Sequence, residues 1–301
     1  MVLKAKFAVV WLSVAVLGGC ASSIKNFSTE ITLAGGRATV LQTSPFPLLA
    51  AFKEHAEESS TLRVYIEDNG ITASESKRAI NPTPKRLMLV KLALTDPAPS
   101  AYIARPCQYV WSERCAPAEW SERRFSSSVI TSYQEALEFL KGIHHNQTFE
   151  LVGYGGGGTV ALLLAATRTD VIRVQTLGGN LTPTTWSRLH QMAPLKGSVD
   201  PIKFAKKLQI IPQRHLVGKT DLEVPQAVAE AYMIALPEAD CLDVTLVEAD
   251  HSQGWEEAWG RFRDQPIRCL KPDFVPPTAS VPDQESQADE GEPFKSDLSF
   301  E

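Results

Sequence analysis

The feature that most constrains this chain is a glycine-rich turn between an apolar strand pattern and an apolar helix pattern. Phe149–Tyr154 has the length and character of a strand, four glycines follow at 155–158, and Gly158–Arg168 is rich in alanine and leucine. Glycine runs are typical of flexible linkers, but a linker is not flanked by a buried strand and a buried helix. The sequence therefore predicts a tight, ordered strand-to-helix turn.

Short apolar runs alternate with helical patterns along most of the chain. The strand candidates are Leu62–Ile66, Ala101–Ala104, Phe149–Tyr154, Val171–Leu177, His215–Gly218 and Leu242–Val247. The helix candidates are Tyr133–Gly142, Gly158–Arg168, Pro201–Lys207, Pro225–Leu236 and Gly254–Arg263. This alternation predicts an α/β fold with a mostly parallel central sheet and helices on both faces.

The glycine-rich turn has the layout of a turn that presents a catalytic nucleophile. In such a turn, glycines lie two residues before and two after a central residue, which is held in strain at the carboxyl edge of the sheet. Here the flanking residues are Gly153 and Gly157, and the central residue is Gly155. Asp221 and His251 follow later strand patterns, in the order expected for the acid and base of a triad. Either one alone is weak support, since a loop aspartate is usually a cap or turn former and a lone histidine is more often structural.

From about Leu62 to Trp259 the chain resembles the α/β-hydrolase superfamily, and specifically a group of bacterial lipoprotein hydrolases. The resemblance rests on Ala104-Arg105-Pro106-Cys107-Gln108-Tyr109, Trp120 with Arg123-Arg124-Phe125, the glycine-rich turn, Gly179-Asn180-Leu181, and the loops of Asp221 and His251. It implies an α/β-hydrolase fold with an insertion, or cap, after the third strand. In that family the turn reads Gly-Tyr-Ser-Gly-Gly-Gly, and the serine attacks an ester or amide carbonyl. The nucleophile position falls on Gly155, which has no hydroxyl.

A second departure from the family pattern follows the first predicted strand. The run 65–70, Tyr-Ile-Glu-Asp-Asn-Gly, takes the place of the family's Glu-Gly-Asp-Gly loop, which helps to form the oxyanion hole. Asp68 stands where glycine is usual. A carboxylate facing the hole weakens the stabilisation of a developing negative charge, whereas a side chain turned to solvent does no harm. The resemblance places Asp68 and Asn69 at the oxyanion hole, together with the backbone N–H of Gly156. No metal and no other cofactor is expected.

Three hypotheses follow from the missing serine. The first is a catalytically impaired homologue that acts as a binding protein, with an unidentified small molecule or protein in its cleft. The second is a true hydrolase with a displaced nucleophile, such as Ser252 or one of Ser126 to Ser128, while Thr159 lies too far into the helix to serve. The third is a variant of an active carboxylic-ester hydrolase, in which Gly155→Ser restores ester hydrolysis in one step.

The N-terminal segment has the three parts of an export signal. Two lysines precede an apolar run over 7–17, which is shorter than the roughly 20 residues of a membrane-spanning helix. Leu-Gly-Gly-Cys at 17–20 resembles the lipobox of bacterial lipoproteins, in which the cysteine is lipidated. We therefore predict a signal peptide over 1–19 and a membrane anchor on Cys20. In that group, a residue other than aspartate after the cysteine favours sorting to the outer membrane, so Ala21 predicts the outer membrane of a Gram-negative bacterium, facing the periplasm. The alternative is an ordinary signal peptide with a coincidental cysteine.

The four remaining cysteines are an even number in a chain predicted to enter an oxidising compartment. Cys107 with Cys115 would close a short local loop, and Cys241 with Cys269 would tie a late strand to the end of the domain. Two disulfides are expected on these pairs, although the spacing leaves other pairings open. No two cysteines have the two-residue spacing of a zinc site, which argues against metal binding.

Composition predicts one domain and a tail. Residues 20–271 have the length of one sizeable domain, whereas 272–301 contain eight acidic residues, five prolines and one lysine, which is typical of a disordered tail. No basic footprint for nucleic acid is visible. A set of aromatic and basic residues either lines a cap over the pocket or packs inside a disulfide-braced insertion, and we favour packing. The set is Trp111, Trp120, Arg123, Arg124 and Phe125.

Overall fold

The computed structural model describes residues 18–53, 59–70 and 81–269, with side chains described from residue 24 onward. Most of the predicted signal peptide and the whole acidic tail lie outside these residues. The strands are β1 Gly36–Leu41, β2 Leu48–Lys53, β3 Thr61–Ile66, β4 Ser100–Ile103, β5 Thr148–Tyr154, β6 Val171–Leu177, β7 Gln213–Gly218 and β8 Leu242–Val247. The α-helices are α1 Gly18–Leu33, α2 Met88–Thr95, α3 Ser127–His144, α4 Gly156–Thr167, α5 Pro183–Leu189, α6 Ala205–Leu208, α7 Gln226–Ala235 and α8 Trp255–Phe262. Two 3₁₀ turns lie at Pro117–Trp120 and Pro201–Phe204.

The eight strands form one sheet in the order β1-β2-β4-β3-β5-β6-β7-β8. Strands β3 to β8 run parallel, whereas β1 and β2 are antiparallel and form one edge. The carboxyl ends of β3, β5, β7 and β8 therefore meet at the same edge of the sheet, where ligands bind in open α/β sheets. The predicted, mostly parallel sheet is confirmed.

Helices cover both faces of the sheet. Along β3, Val64 and Tyr65 are fully buried in two different apolar clusters, because neighbouring side chains on a strand point to opposite faces. One cluster includes residues of α3, α4 and α7, and the other includes residues of α1, α2 and α8. Trp255 and Trp259 of α8 are buried in the second cluster, as expected for one face of a helix. The α/β fold class predicted from the alternation is therefore present.

The predicted insertion is less separate from the core than the sequence indicated. Between Asp68 and Ser132 the chain forms α2, which packs on the sheet, and β4, which pairs with β2 and β3. The stretch 104–126 lies at the carboxyl edge, where Gln108 Nε2 donates to the backbone oxygen of Asp68 at 2.8 Å. The loop is braced by a disulfide between Cys107 and Cys115.

The second predicted disulfide, between Cys241 and Cys269, is also present. Two disulfides support an oxidising compartment for this domain. Helix α1 begins at Gly18 and contains Cys20 in its first turn, and lipidation of that cysteine remains a prediction. Within the described residues, no helix combines the length and hydropathy that crossing a bilayer requires.

Candidate active site

The turn between β5 and α4 is as tight as the sequence predicts. Gly155 has φ 49° and ψ −120°, a conformation that L side chains rarely adopt. Its N–H donates to Leu177 of β6 at 3.1 Å, and its carbonyl accepts from Asn180 at 2.8 Å. These bonds hold position 155 in the strained bend at the carboxyl end of β5, where a nucleophile belongs in this type of turn.

Asp221 and His251 meet beside this turn. Asp221 lies in the loop after β7, and His251 lies in the loop after β8. Asp221 Oδ2 is 2.9 Å from His251 Nδ1, while its other oxygen accepts from the backbone N–H groups of Glu223 and Val224 at 2.9 and 2.8 Å. The imidazole stacks on the ring of Tyr154, with centroids 5.2 Å apart. The buried carboxylate and the stacked ring orient the histidine toward the turn.

The side chain of Asp68 lies at the same point. Its Oδ1 accepts from the backbone N–H of Gly156 at 2.6 Å, and its Oδ2 lies 3.9 Å from His251 Nε2. A Cβ placed on Gly155 would overlap Asp68 Oδ1 and lie 2.6 Å from Asp68 Cγ. The carboxylate of Asp68 therefore occupies the space into which a side chain at position 155 would project, and it uses the N–H that was predicted to stabilise an oxyanion.

The two carboxylates determine the charge of His251. Burial lowers the pKa of this imidazole, but the hydrogen bond to Asp221 and the nearby Asp68 carboxylate outweigh it and raise the pKa to about 10. Burial raises the pKa of Asp68, but His251 and the Gly156 N–H oppose it and bring it below its ordinary value. At neutral pH the site thus contains an imidazolium ion between two carboxylates.

Asn69 and Glu67, the two neighbours of Asp68 in sequence, contact the turn and the backbone of Asp68. Asn69 packs on Gly156, since a Cβ on that glycine would lie 2.9 Å from Asn69 Oδ1. Glu67, which sequence reasoning did not assign to the site, is buried and accepts from the N–H of Asp68 and from the hydroxyl of Tyr102, both at 2.9 Å. Burial raises the pKa of Glu67 to about 8, so this carboxyl is largely neutral at pH 7.

Three of the hydroxyl groups weighed in the sequence as alternatives have other partners. Ser252 Oγ donates to Asp250 Oδ1 at 2.9 Å. Ser126 Oγ caps helix α3 by accepting from the backbone N–H of Val129 at 3.4 Å. Thr159 is buried and its hydroxyl donates to the backbone oxygen of Asn180. For Ser252, Ser126 and Thr159, these contacts lend no support to a role as a displaced nucleophile.

Comparison with solved structures identifies the fold. An esterase of Pyrococcus furiosus matches with a TM-score of 0.55 and 9% identity, over 74% of this chain and 88% of that chain. Est1E of Butyrivibrio proteoclasticus, in a structure with ferulic acid bound, matches with a TM-score of 0.54 and 14% identity, over 73% and 94%. An acylaminoacyl peptidase of Pyrococcus horikoshii matches with a TM-score of 0.59 and 9% identity, over 80% of this chain and 43% of that chain.

These likenesses show that the protein has the α/β-hydrolase fold. No protein-family model matches the sequence, and no curated protein matches it at a significant level.

Proposed function

We propose that this protein is a lipid-anchored cell-envelope protein that binds a ligand in an α/β-hydrolase cleft without hydrolysing it. The single observation that carries the proposal is the position of the Asp68 carboxylate. It fills the space beside Gly155 and accepts from the N–H of Gly156. Anchoring through Cys20 belongs to the same proposal, and the two disulfides support the envelope as the compartment.

Three requirements of acyl-transfer chemistry fail at this site for separate reasons. Gly155 has no oxygen with which to attack a carbonyl. The N–H of Gly156 already donates to a carboxylate, so a developing oxyanion would compete with a full negative charge. With a pKa of about 10, His251 carries a proton at neutral pH and does not act as a general base.

The orientation of His251 by Asp221 favours one alternative, a hydrolase that was inactivated by substitution at position 155. Under that hypothesis Gly155→Ser restores activity in one step. The structure argues against a single step, because the new Cβ would overlap the Asp68 carboxylate. We expect recovery only when Asp68 is also replaced by glycine, the residue usual in the resembling family.

The test compares four full-length proteins, purified in nonionic detergent, on p-nitrophenyl acetate and butyrate. The wild type, Gly155→Ser and Asp68→Gly are expected to show no hydrolysis above background. The double variant Gly155→Ser/Asp68→Gly is expected to exceed Gly155→Ser by about 10²-fold or more, since it regains a free oxyanion donor together with the nucleophile.

His251→Ala in the double variant is the matched control, and it should return the rate to background. Two outcomes contradict the proposal: hydrolysis by the wild type that His251→Ala removes, or full activity of Gly155→Ser with Asp68 intact. The second outcome would support the inactivated-variant hypothesis.

A further inference from the structure

Two buried arginines lie at the carboxyl edge of the sheet. Arg105 follows β4 and is 4% exposed, and Arg124 precedes α3 and is 0% exposed. They are linked, since Arg105 Nη2 donates to the backbone oxygen of Arg124. Arg124 Nε donates to the backbone oxygen of Ser121 at 2.6 Å. The sequence pattern indicates no chemical role for either arginine, and it favours packing for Arg124.

Four of their guanidinium nitrogens have no hydrogen-bond partner in the structure of the described residues. They are Nε and Nη1 of Arg105 and Nη1 and Nη2 of Arg124, and all four are shielded from solvent. A buried charge is costly unless it is paired and hydrogen-bonded. The two arginines therefore form a cationic site whose N–H donors are not matched by hydrogen-bond acceptors among the described residues.

Another fully buried arginine shows how this fold satisfies a structural guanidinium. Arg214 donates through Nε to Asp243, through Nη1 to Gln175 and to two backbone oxygens, and through Nη2 to a third backbone oxygen. Every nitrogen of its guanidinium group has a partner. The contrast indicates that Arg105 and Arg124 are not explained by packing alone.

Aromatic rings hold both guanidinium groups in place. Arg105 lies over the ring of Phe125 at 5.3 Å, and Arg124 lies over the ring of Trp186 at 5.2 Å. Trp186 Nε1 in turn donates at 2.8 Å to the backbone oxygen of Glu223, in the loop that carries the triad aspartate. Such stacking orients a guanidinium while leaving its N–H groups free for an anion.

Charged residues of the candidate active site influence the pKa of both arginines. Burial lowers the pKa of Arg105, and the nearby Tyr133, Asp68 and Glu67 oppose this shift. Burial lowers the pKa of Arg124 to about 10, and Asp68 is the largest opposing influence, so Arg124 is still charged at pH 7. The negative charge of Asp68 is itself engaged by the imidazolium and by a backbone N–H, so it does not replace a hydrogen-bonded partner for the arginines.

We propose that Arg105 and Arg124 bind the oxyanion of the cleft's ligand, a carboxylate or phosphate group. The inference rests on the proposed function, in which the cleft binds a ligand. Two guanidinium groups with two unpartnered nitrogens each match the oxygens of such a group, and paired N–H donors are the usual means by which arginine recognises carboxylate and phosphate.

The test uses the full-length protein in nonionic detergent, with affinity measured by isothermal titration calorimetry at constant ionic strength. The probes are sodium hexanoate, inorganic phosphate and the neutral hexanamide. We expect the wild type to bind hexanoate or phosphate at least tenfold more tightly than hexanamide. The hexanoate and phosphate arms distinguish a carboxylate ligand from a phosphate ligand.

Arg105→Gln and Arg124→Gln are each expected to weaken the favoured anion at least tenfold. Arg123→Gln is the matched control, because Arg123 is next in sequence, half-exposed and paired with Glu119 at 3.1 Å, and it should bind as the wild type does. If either glutamine variant fails to fold, the corresponding lysine variant, Arg105→Lys or Arg124→Lys, takes its place, since lysine keeps the charge but loses the paired N–H donors.

Equal affinity for hexanoate, phosphate and hexanamide, or unchanged affinity in both folded glutamine variants, would overturn the inference. This failure is distinct from failure of the proposed function. Hydrolysis of p-nitrophenyl esters by the wild type would refute the binding-protein proposal while leaving anion binding measurable, whereas an inactive protein without anion affinity would refute only the arginine site.

Discussion

At the residue scale, the chemistry of the cleft depends on the carboxylate of Asp68, whose position does not follow from the pattern of strands and helices. The order of Asp221 and His251 along the chain, taken together with the glycine-rich turn, predicted that they lie close together, because both follow parallel strands whose carboxyl ends share an edge. The direction of the Asp68 side chain was not predictable, since a single loop residue has several rotamers. Nor does a one-dimensional pattern show that Arg105 and Arg124 lack partners, because partners come from distant segments.

Replacing the Asp68 carboxylate should lower the pKa of His251. We expect Asp68→Asn to reduce it from about 10 by about one pH unit or more, because one of two adjacent negative charges is lost while Asp221 remains. The measurement is an NMR titration of the His251 ring. Glu248→Gln, which removes an exposed carboxylate three residues away, is the control and should leave the pKa unchanged. An unaltered His251 pKa in Asp68→Asn would show that Asp68 does not hold the proton there.

The same pair makes stability depend on pH. The folded pKa of His251 is near 10 and that of an unfolded histidine is near 6.5, so the folded state binds the extra proton between these values. The stabilisation is fully present below about pH 6.5 and is lost as the pH rises through 10, with a slope of up to about 1.4 kcal/mol per pH unit. Asp68→Asn should flatten this decline in urea unfolding measured from pH 7 to 10.

At the element scale, the parallel strands were predictable and the antiparallel edge was not. All six predicted strands are present, with ends that differ by at most two residues. Strands β1 and β2 were missed because Gly36–Leu41 is largely exposed and mixes polar with apolar residues, while Leu48–Lys53 is an apolar run without a flanking alternation. Helix α2 was missed inside the predicted insertion, and α3 begins six residues before its predicted start, where Ser126 caps it.

The packing of α4 against β3 should be intolerant of even one methyl group. A Cβ on Gly157 would overlap the backbone oxygen of Ile66 and lie 2.8 Å from that of Glu67. We expect Gly157→Ala to lower the free energy of unfolding by about 2 kcal/mol or more, since backbone on both sides would have to move. Chemical denaturation followed by circular dichroism measures this change.

Gly142→Ala is the matched helical control. Gly142 is exposed in α3, and nothing lies within 4 Å of its would-be Cβ. The change should raise the free energy of unfolding by about 0.5–1 kcal/mol, because alanine is the better helix former. Equal stability of the Gly157→Ala variant and the wild type would mean that α4 is not packed as tightly as described.

At the scale of the whole molecule, the described residues contain the sheet, the two disulfides and the cleft. The lipid anchor remains a sequence-based proposal. The sequence carries that proposal through a short motif at 17–20, a kind of signal that does not depend on the fold. The substrate or ligand class had no comparable motif, because recognition in this fold depends on side chains that several loops bring together.

Removing the proposed lipidation site should release the protein from the membrane. We expect Cys20→Ser, expressed with its own N-terminal segment in a Gram-negative host, to leave the membrane fraction, because a missing lipid removes the anchor. Fractionation and immunoblotting follow the change. The control is Cys241→Ser/Cys269→Ser, which removes two other cysteines and should remain membrane-associated. A Cys20→Ser protein that stays in the outer membrane would contradict lipid anchoring.

The shared space of Asp68 and Gly155 also constrains how such a site can arise. The space between positions 68 and 155 accommodates a side chain from only one of them, so a protein with serine at 155 and aspartate at 68 is overcrowded. Glycine at both positions leaves room and adds no strain at the bend. A lineage passing between a serine site and a carboxylate site would therefore be expected to go through the glycine pair, losing the first side chain before gaining the second.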